Sequence, residues 1–332
     1  MIRSKVVCVG EALIDRIITK STNEYVNYLG GAPANVACSL ANLSVDTVFV
    51  GCVGQDDYGK SFVNQFKQLK IDHDFLQVNP NFPTRVVMVE RNNEGDRIFV
   101  GFQNDTNNYF ADEMLNVSEF DNKIINLEEI YRDTRYIVTG TLTLANVKTS
   151  ESIYFLLNYA KNFNIKIIID LNWRDVFWDH SFLMRNKTRK EQESVIKKFL
   201  FFADILKLAK EEALQFFQTS DPFKISQILH KKPSVIITDG DQPILWYLAG
   251  HLGTTKIANV TNIVDTTGAG DAFLGGLISQ LINLNDVVSK EQIEQALNYA
   301  AVCGLLNCLG HGAIDNLPDN QRIQTFLKSN GL

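Results

Sequence analysis

Short apolar runs of strand length recur at Lys5–Gly10, Thr47–Val53, Tyr136–Thr139, Lys166–Asp170, Asp204–Leu208 and Ser234–Asp239. Between them lie stretches whose apolar positions follow helical spacing, at Ala34–Leu43, Tyr58–Lys70, Ser150–Asn162, Lys190–Phe202 and Lys210–Phe217. This alternation predicts an α/β fold, a parallel sheet covered by helices on both faces. Ile167-Ile168-Ile169 and Val235-Ile236-Ile237 are apolar at every position, as strands are when both faces of their sheet are buried. Ligands of such folds bind beyond the carboxyl ends of the strands, and Asp170 and Asp239 end two of these runs.

Thr84–Glu90 and Arg97–Gly101 flank the polar, glycine-containing turn Asn92–Asp96 and read as a hairpin outside the alternation. With the stretch from Leu13 to Tyr28 they are expected to form a small sheet over a site. Ile244–Ala249 and Gly253–Ile257 form a second hairpin, and Glu291–Leu309 a long helix. No internal repeat or low-complexity segment interrupts the chain.

Asn262–Phe273 contains the densest candidate chemistry. Gly268, Ala269 and Gly270 carry almost no side chain, so their N–H groups can close on an anion. The predicted helix Asp271–Leu284 turns the positive end of its dipole to the same point. Asp271, at the mouth of the turn, can accept a proton from an attacking hydroxyl. The ordinary alternative is a helix cap, since Asp and Gly are common there.

Leu29–Leu43 places Gly30, Gly31 and Pro33 before a helix of small residues, bringing backbone close to a ligand. Asn35 offers donors and acceptors to a polyhydroxylated molecule, with local capping as its alternative. Gly54–Ser61 matches the P-loop pattern after a strand, and Ile167–Asp170 would pass for the metal-binding strand of that class. Asp56 and Asp57, however, would repel a polyphosphate held by that loop by several kcal/mol. Gly268–Phe273 lacks the third glycine of a dinucleotide fingerprint.

The 332 residues, 45% hydrophobic, are enough for a large core. A net charge of −6 without a dense basic run gives no general attraction to nucleic acid or anionic membrane. No run approaches the roughly 20 apolar residues that span a bilayer, so a cytoplasmic location is expected. The five cysteines lie in apolar segments without metal-type spacing, which favours reduced core thiols. The five histidines are scattered, and no structural zinc site is expected.

The two glycine-containing segments together resemble the signature motifs of the ribokinase/PfkB carbohydrate kinase family, and Gly30-Gly31-Ala32-Pro33-Ala34-Asn35 looks most like its fructokinase branch. The resemblance runs from Gly10-Glu11-Ala12-Leu13-Ile14-Asp15 to Gly312-Ala313. It implies a ribokinase-like three-layer α/β sandwich with a mainly parallel central sheet and a small β lid. The core would be 1–12, 32–83 and 106–332, and the lid 13–31 and 84–105 would cover the sugar and exclude water. A Gly-Asp-Asp-like turn common in the family accounts for the P-loop match at Gly54–Asp57.

The implied activity is transfer of the γ-phosphate of ATP to the 6-hydroxyl of D-fructose, with Asp271 as base and Gly268, Ala269 and Gly270 as anion hole. Asp15, Gly31 and Asn35 match positions that bind sugar hydroxyls, and Arg97 resembles a lid arginine that reaches the sugar. Asp15 and Arg97 could equally be solvated charges on strand edges. Asn172 and Arg174 belong to a segment resembling Asp-x-Asn-x-Arg that faces the phosphates. Lys207 and Glu212 neighbour the family's Asn-x-x-Glu element, which orders magnesium and its waters, but Ala209 stands where Asn is expected. An exposed helix carboxylate is the alternative for Glu212. Thr238, Asp239 and Gly240 end a strand beside the expected ATP groove. Asp265 and Thr267 resemble ligands of a monovalent cation, which makes K⁺ an additional cofactor candidate beside ATP and Mg²⁺. The expected partners are the sugar and ATP, with a homodimer compatible. Ribose, 2-keto-3-deoxygluconate or a nucleoside are alternative acceptors, and a non-catalytic sugar-binding regulator is opposed by the presence of Asp271.

Overall fold

In the computed structural model, which describes residues 4–19, 24–91, 97–103, 109–120, 124–181, 184–258, 262–284 and 288–331, the apolar runs are strands buried on both sides. β1 (Lys5–Val9) sends Val7 and Val9 into one core and Val6 and Cys8 into another, because successive side chains leave opposite faces. Val48, Val50, Ile167, Ile169, Val235 and Ile237 join the first core, while Phe49, Ile168 and Ile236 join the second.

β2 (Leu13–Thr19) and β3 (Glu24–Gly30) leave the main layer as an antiparallel pair. α1 (Ala32–Asn42), β4 (Asp46–Gly54), α2 (Asp57–Leu69) and β5 (Leu76–Asn79) return to it. β6 (Val86–Arg91) and β7 (Arg97–Phe102) rejoin β2 and β3 in a four-stranded sheet of order β3-β2-β6-β7. The predicted turn Asn92–Asp96 and the expected boundary at 105 lie outside the described residues. The chain continues through α3 (Ile124–Asp133), β8 (Thr134–Gly140), α4 (Val147–Ala160), β9 (Lys166–Asp170), α5 (Asp175–His180) and α6 (Arg189–Phe199). β10 (Ile205–Ala209), α7 (Lys210–Phe217), α8 (Pro222–Ile228), β11 (Ser234–Asp239), β12 (Gln242–Leu248) and β13 (His251–Thr255) follow. α9 (Ala269–Leu281), α10 (Lys290–Asn307) and α11 (Asn320–Asn330) close the chain.

The large sheet has nine strands in the order β13-β12-β11-β10-β9-β8-β1-β4-β5. Every pair is parallel except β11–β12 and β12–β13, where the second predicted hairpin supplies an antiparallel edge. Leu40, Phe62, Phe66, Leu277 and Leu297 of α1, α2, α9 and α10 cover one face. Tyr131, Leu156, Phe199, Phe216 and Ile225 of α3, α4, α6, α7 and α8 cover the other. Each such side chain contributes about 1.5–3 kcal/mol on burial, so the paired cores and not local propensity hold the three layers together. The smaller sheet packs through Leu13, Val87, Val89 and Phe102 against Phe110 and Leu142.

Some element ends differ from expectation. α6 stops at Phe199, and one 3₁₀ turn over Leu200–Phe202 redirects the chain toward β10 where a longer helix is predicted. α4 starts early, at Val147, because the Asn146 side chain accepts the Lys148 N–H. All five cysteines are unpaired and buried, with Cys52 in the first core, Cys8 and Cys38 in the second, and Cys303 beneath α11 beside Leu43 and Ile323. No described helix is long and apolar enough to cross a membrane.

Candidate active site

α9 begins at Ala269, two residues before the predicted start, so Asp271 sits inside its first turn. Gly268 makes the turn at φ 71°, and an added Cβ there would lie 2.6 Å from that of Ala313, so only glycine fits. No side chain caps this end. The Ala269 N–H donates back to Thr266 O at 3.2 Å, while helix geometry leaves the Gly270 and Asp271 amides without intrahelical acceptors. Beneath the turn, Asp265 Oδ1 accepts from Thr267 N and Oγ1 at 3.0 and 2.6 Å, and its Oδ2 accepts from Gly312 N at 3.1 Å.

Asp271 Oδ2 accepts a 2.8 Å hydrogen bond from Asn35 Nδ2. Burial pushes the Asp271 carboxyl up to about 6, with the Asp170 charge adding to the rise and Lys207, the Asn35 bond and Arg174 opposing it. Asn35 is delivered by α1, whose N-cap Gly31 has φ 101°. A Cβ at Gly31 would stand 2.5 Å from the Glu11 carbonyl oxygen, so this turn also requires glycine.

The carboxyl ends of β9 and β10 lie side by side, with Lys207 opposite Asp170 in register and its Nζ donating to Asp170 Oδ2 at 2.8 Å. Burial works against the Lys207 charge, but Asp170 and Asp271 outweigh it and hold the ammonium above the ordinary lysine range. An added Cβ on Gly270 would meet Lys207 Nζ at 2.9 Å, so this cation lies against the start of α9. Glu212 accepts from Ala209 N at 2.7 Å and Trp173 N at 2.6 Å, clipping together the chain after β9 and the start of α7. Burial, reinforced by Asp170, raises its carboxyl above the usual range. Asn172, between these elements, adopts φ 42°, a left-handed conformation that Asn tolerates better than most residues.

Two cavities meet at the start of α9, sharing Thr266 and Gly270. The first, about 540 Å³, brings together Asp15, Gly31, Asn35, Asn172, Arg174, Lys207, Thr267, Gly268 and Asp271. Its opposite wall is apolar, built from Leu13, Val87, Val89 and Phe99 of the small sheet and Phe177 of α5. The second, about 440 Å³, is lined by Thr238, Gly240 and Ala269 with mainly apolar neighbours such as Ile244, Ile257 and Phe273. Asp239 is outside both linings and pairs with Lys210 at 2.7 Å. Arg97 opens β7, but its side chain lies outside the described residues. Among residues not singled out from sequence, Glu11, Val87, Val89 and Phe177 line the first cavity. For Glu11 the available signal was an acid directly after an apolar strand; Val87 and Val89 lie in the hairpin expected over the site, and Phe177 carried no signal of its own.

Residues 3–320 match the pfkB carbohydrate kinase family. The chain belongs to that family. It is 30% identical over 333 residues to a probable chloroplastic fructokinase-6 of Arabidopsis thaliana, covering 97% of this chain and 82% of the relative. It is 27% identical over 319 residues to a fructokinase of Vibrio alginolyticus, covering 96% and 97%. The structure of Xylella fastidiosa fructokinase with bound ATP shares the fold at TM-score 0.84 and 24% identity, covering 99% of this chain and 100% of that one. Vibrio cholerae O395 fructokinase with fructose, ADP and calcium ion matches at TM-score 0.79 and 26% identity, covering 98% and 100%. This PfkB-family protein is therefore a phosphotransferase acting on a sugar, and its fold is the ribokinase-like one with a large, mostly parallel sheet and a separate small sheet.

In this PfkB kinase the P-loop-like segment is closed by its own acid. Asp56 caps α2, with Oδ1 accepting from Gly59 N and Thr84 Oγ1 at 2.8 Å each and Oδ2 from Thr84 N at 2.7 Å. Lys60 is exposed and pairs with Asp57 at 3.0 Å. A carboxylate already fills the place where a phosphate would sit.

Proposed function

We propose that this sugar kinase is a fructokinase that moves the γ-phosphate of ATP to the 6-hydroxyl of D-fructose, with Asp271 as general base. The observation carrying this reading is the meeting of a polar and an apolar cavity at the uncapped start of α9, with Asp271 on the polar side. The sugar would lie against Asp15, Gly31 and Asn35, and ATP along the second cavity past Thr238 and Gly240. The two reacting ends then meet at Gly268–Gly270, where amides and the helix dipole stabilise charge on the moving phosphoryl group. Lys207 adds a fixed positive charge at that point, and Arg174 a second on the rim. Asp271, pushed up only to about 6, is ionised near neutrality and ready to take the hydroxyl proton. That the relatives are named fructokinases, and that one of them is known with fructose bound, supports fructose as acceptor.

Residues 13–31 and 84–105 act as the lid in this reading, since their described strands supply Leu13, Val87, Val89 and Phe99 to the wall that would exclude water. Magnesium enters with ATP. Glu212 fits that ion, which keeps several waters and takes few protein carboxylates, because each Glu212 oxygen holds one backbone amide and retains a lone pair for a metal-bound water. The ion would neutralise phosphate charge there. Asp265 and Thr267 are the residues assigned to K⁺ under the turn.

The apolar wall supports a second reading, a less polar acceptor such as a nucleoside. ADP release measured over fructose, ribose, 2-keto-3-deoxygluconate and a nucleoside tests both. Fructose is expected to give the highest kcat/KM; a higher value for another acceptor reassigns the substrate, and sugar binding without ADP release would sink the kinase mechanism.

A further inference from the structure

Glu11 follows β1 at the carboxyl edge of the sheet and is 2% exposed. Gly31 brings no side chain to cap α1, and Glu11 Oε1 accepts the Ala32 N–H at 3.1 Å in its place. The same helical turn is closed by the Asn35 N–H donating to Gly31 O at 2.8 Å, and Asn35 Nδ2 then reaches Asp271. A continuous path of bonds and covalent chain therefore joins Glu11 to the carboxylate assigned as base. Glu11 Oε2 is enclosed and without a partner among the described residues.

We propose that Glu11 is a positioning residue for phosphoryl transfer, clamping the first turn of α1 and, through Asn35, fixing the carboxylate of Asp271. This rests on the kinase reading of Asp271. The charged groups around Glu11 are mainly acids: Asp271 on α9, Asp15 on β2, and Asp112 and Glu113 on the 3₁₀ turn Ala111–Met114. Of the cations, Arg85 is already bound to Asp112 at 2.9 Å and Glu113 at 2.7 Å, and in the larger cavity that Glu11 also lines Lys207 is bound to Asp170 at 2.8 Å while Arg174 is exposed. Burial first, with Asp112 and Asp271 adding, pushes the Glu11 carboxyl up to about 8. Glu11 therefore acts as an uncharged acid at neutral pH. Its carbonyl-like oxygen receives Ala32, and ionisation would put an uncompensated negative charge beside the base and the incoming phosphate.

Gln reproduces that neutral group, whereas Ala removes the clamp. Glu11→Gln is expected to keep kcat within about threefold at pH 7, while Glu11→Ala lowers kcat about 10²-fold with less change in sugar KM, as misplacement of a catalytic group does. Wild-type kcat/KM should decline above about pH 8 as Glu11 ionises, and Glu11→Gln should lose that decline. Thermal unfolding supplies a readout independent of turnover. The folded value is raised from 4.5, so the acid's contribution is full below pH 4.5 and is lost as pH rises to about 8. The melting temperature of Glu11→Gln should accordingly match wild type below pH 4.5 and exceed it increasingly up to about pH 8. If Glu11→Gln is as damaging as Glu11→Ala, or if a folded Glu11→Ala keeps full kcat, the proposal is overturned. Should Glu11→Ala not fold, the two pH profiles of Glu11→Gln decide. Absence of wild-type turnover with every acceptor would instead overturn the kinase reading, leaving the thermal comparison to judge the state of Glu11.

Discussion

The starts of α2 and α9 are built from the same kinds of residue and end up chemically opposite. Both follow a glycine-containing turn and both carry Asp in or beside the first helical turn. At α2 the acid is the cap itself, and its oxygens are filled by Gly59 and Thr84. At α9 the cap is Gly268, which has no side chain to offer, and the acid two residues into the helix turns sideways to Asn35. A shift of three positions decides whether a helix end holds itself or is left for an anion.

The sharpest way to break that contrast is to remove each acid in turn. Asp271→Ala should lower kcat by about 10²–10⁴-fold in an ADP-release assay while the fold survives. A loss below tenfold would remove Asp271 from its assigned role. The pH profile tests the same residue without mutation: because the working form is ionised and its value is about 6, kcat/KM should fall about tenfold per pH unit below that point.

Stability should move in opposite directions at the two ends. Asp271 is raised from 3.8 to about 6 in the folded chain, so its favourable contribution is complete below pH 3.8 and lost by about pH 6. Asp271→Asn should therefore stabilise the protein at pH 7, by about 3 kcal/mol in denaturant titration. Asp56→Ala should instead cost about 1–2 kcal/mol with kcat nearly intact, since it deletes a cap and not a catalytic group. Lys60→Ala should change neither property measurably, because its exposed pair with Asp57 is worth little. Abolished activity in that variant would revive the P-loop alternative.

Alternation of apolar runs makes the layers legible in the sequence, since Ile167–Ile169 and Val235–Ile237 can be apolar throughout only where both faces are covered. Asn35 and Asp271 were legible because each lies within a local pattern of small residues. What stayed hidden depends on partners distant in sequence. Glu11 gains its place from Ala32, and Asp239 meets Lys210 because β10 and β11 pair in parallel with Ala209 opposite Thr238, which sets the residues that follow side by side. Val87, Val89 and Phe99 lie in the hairpin that the sequence placed over a site, but which of its side chains face the polar groups across the cavity was not readable from that placement. The start of α9 was misjudged because a left-handed glycine, not the acid, is its cap.

The distribution of the thiols gives the molecule a built-in set of opening reporters. Cys52 lies on one side of the large sheet, Cys8 and Cys38 on the other, and Cys303 beneath the last helix. Burial raises each of them far above the range in which a thiolate forms at neutral pH. Alkylation must then wait for the layer concerned to part, and the order in which these sulfurs become labelled under mild denaturant would trace which layer separates first.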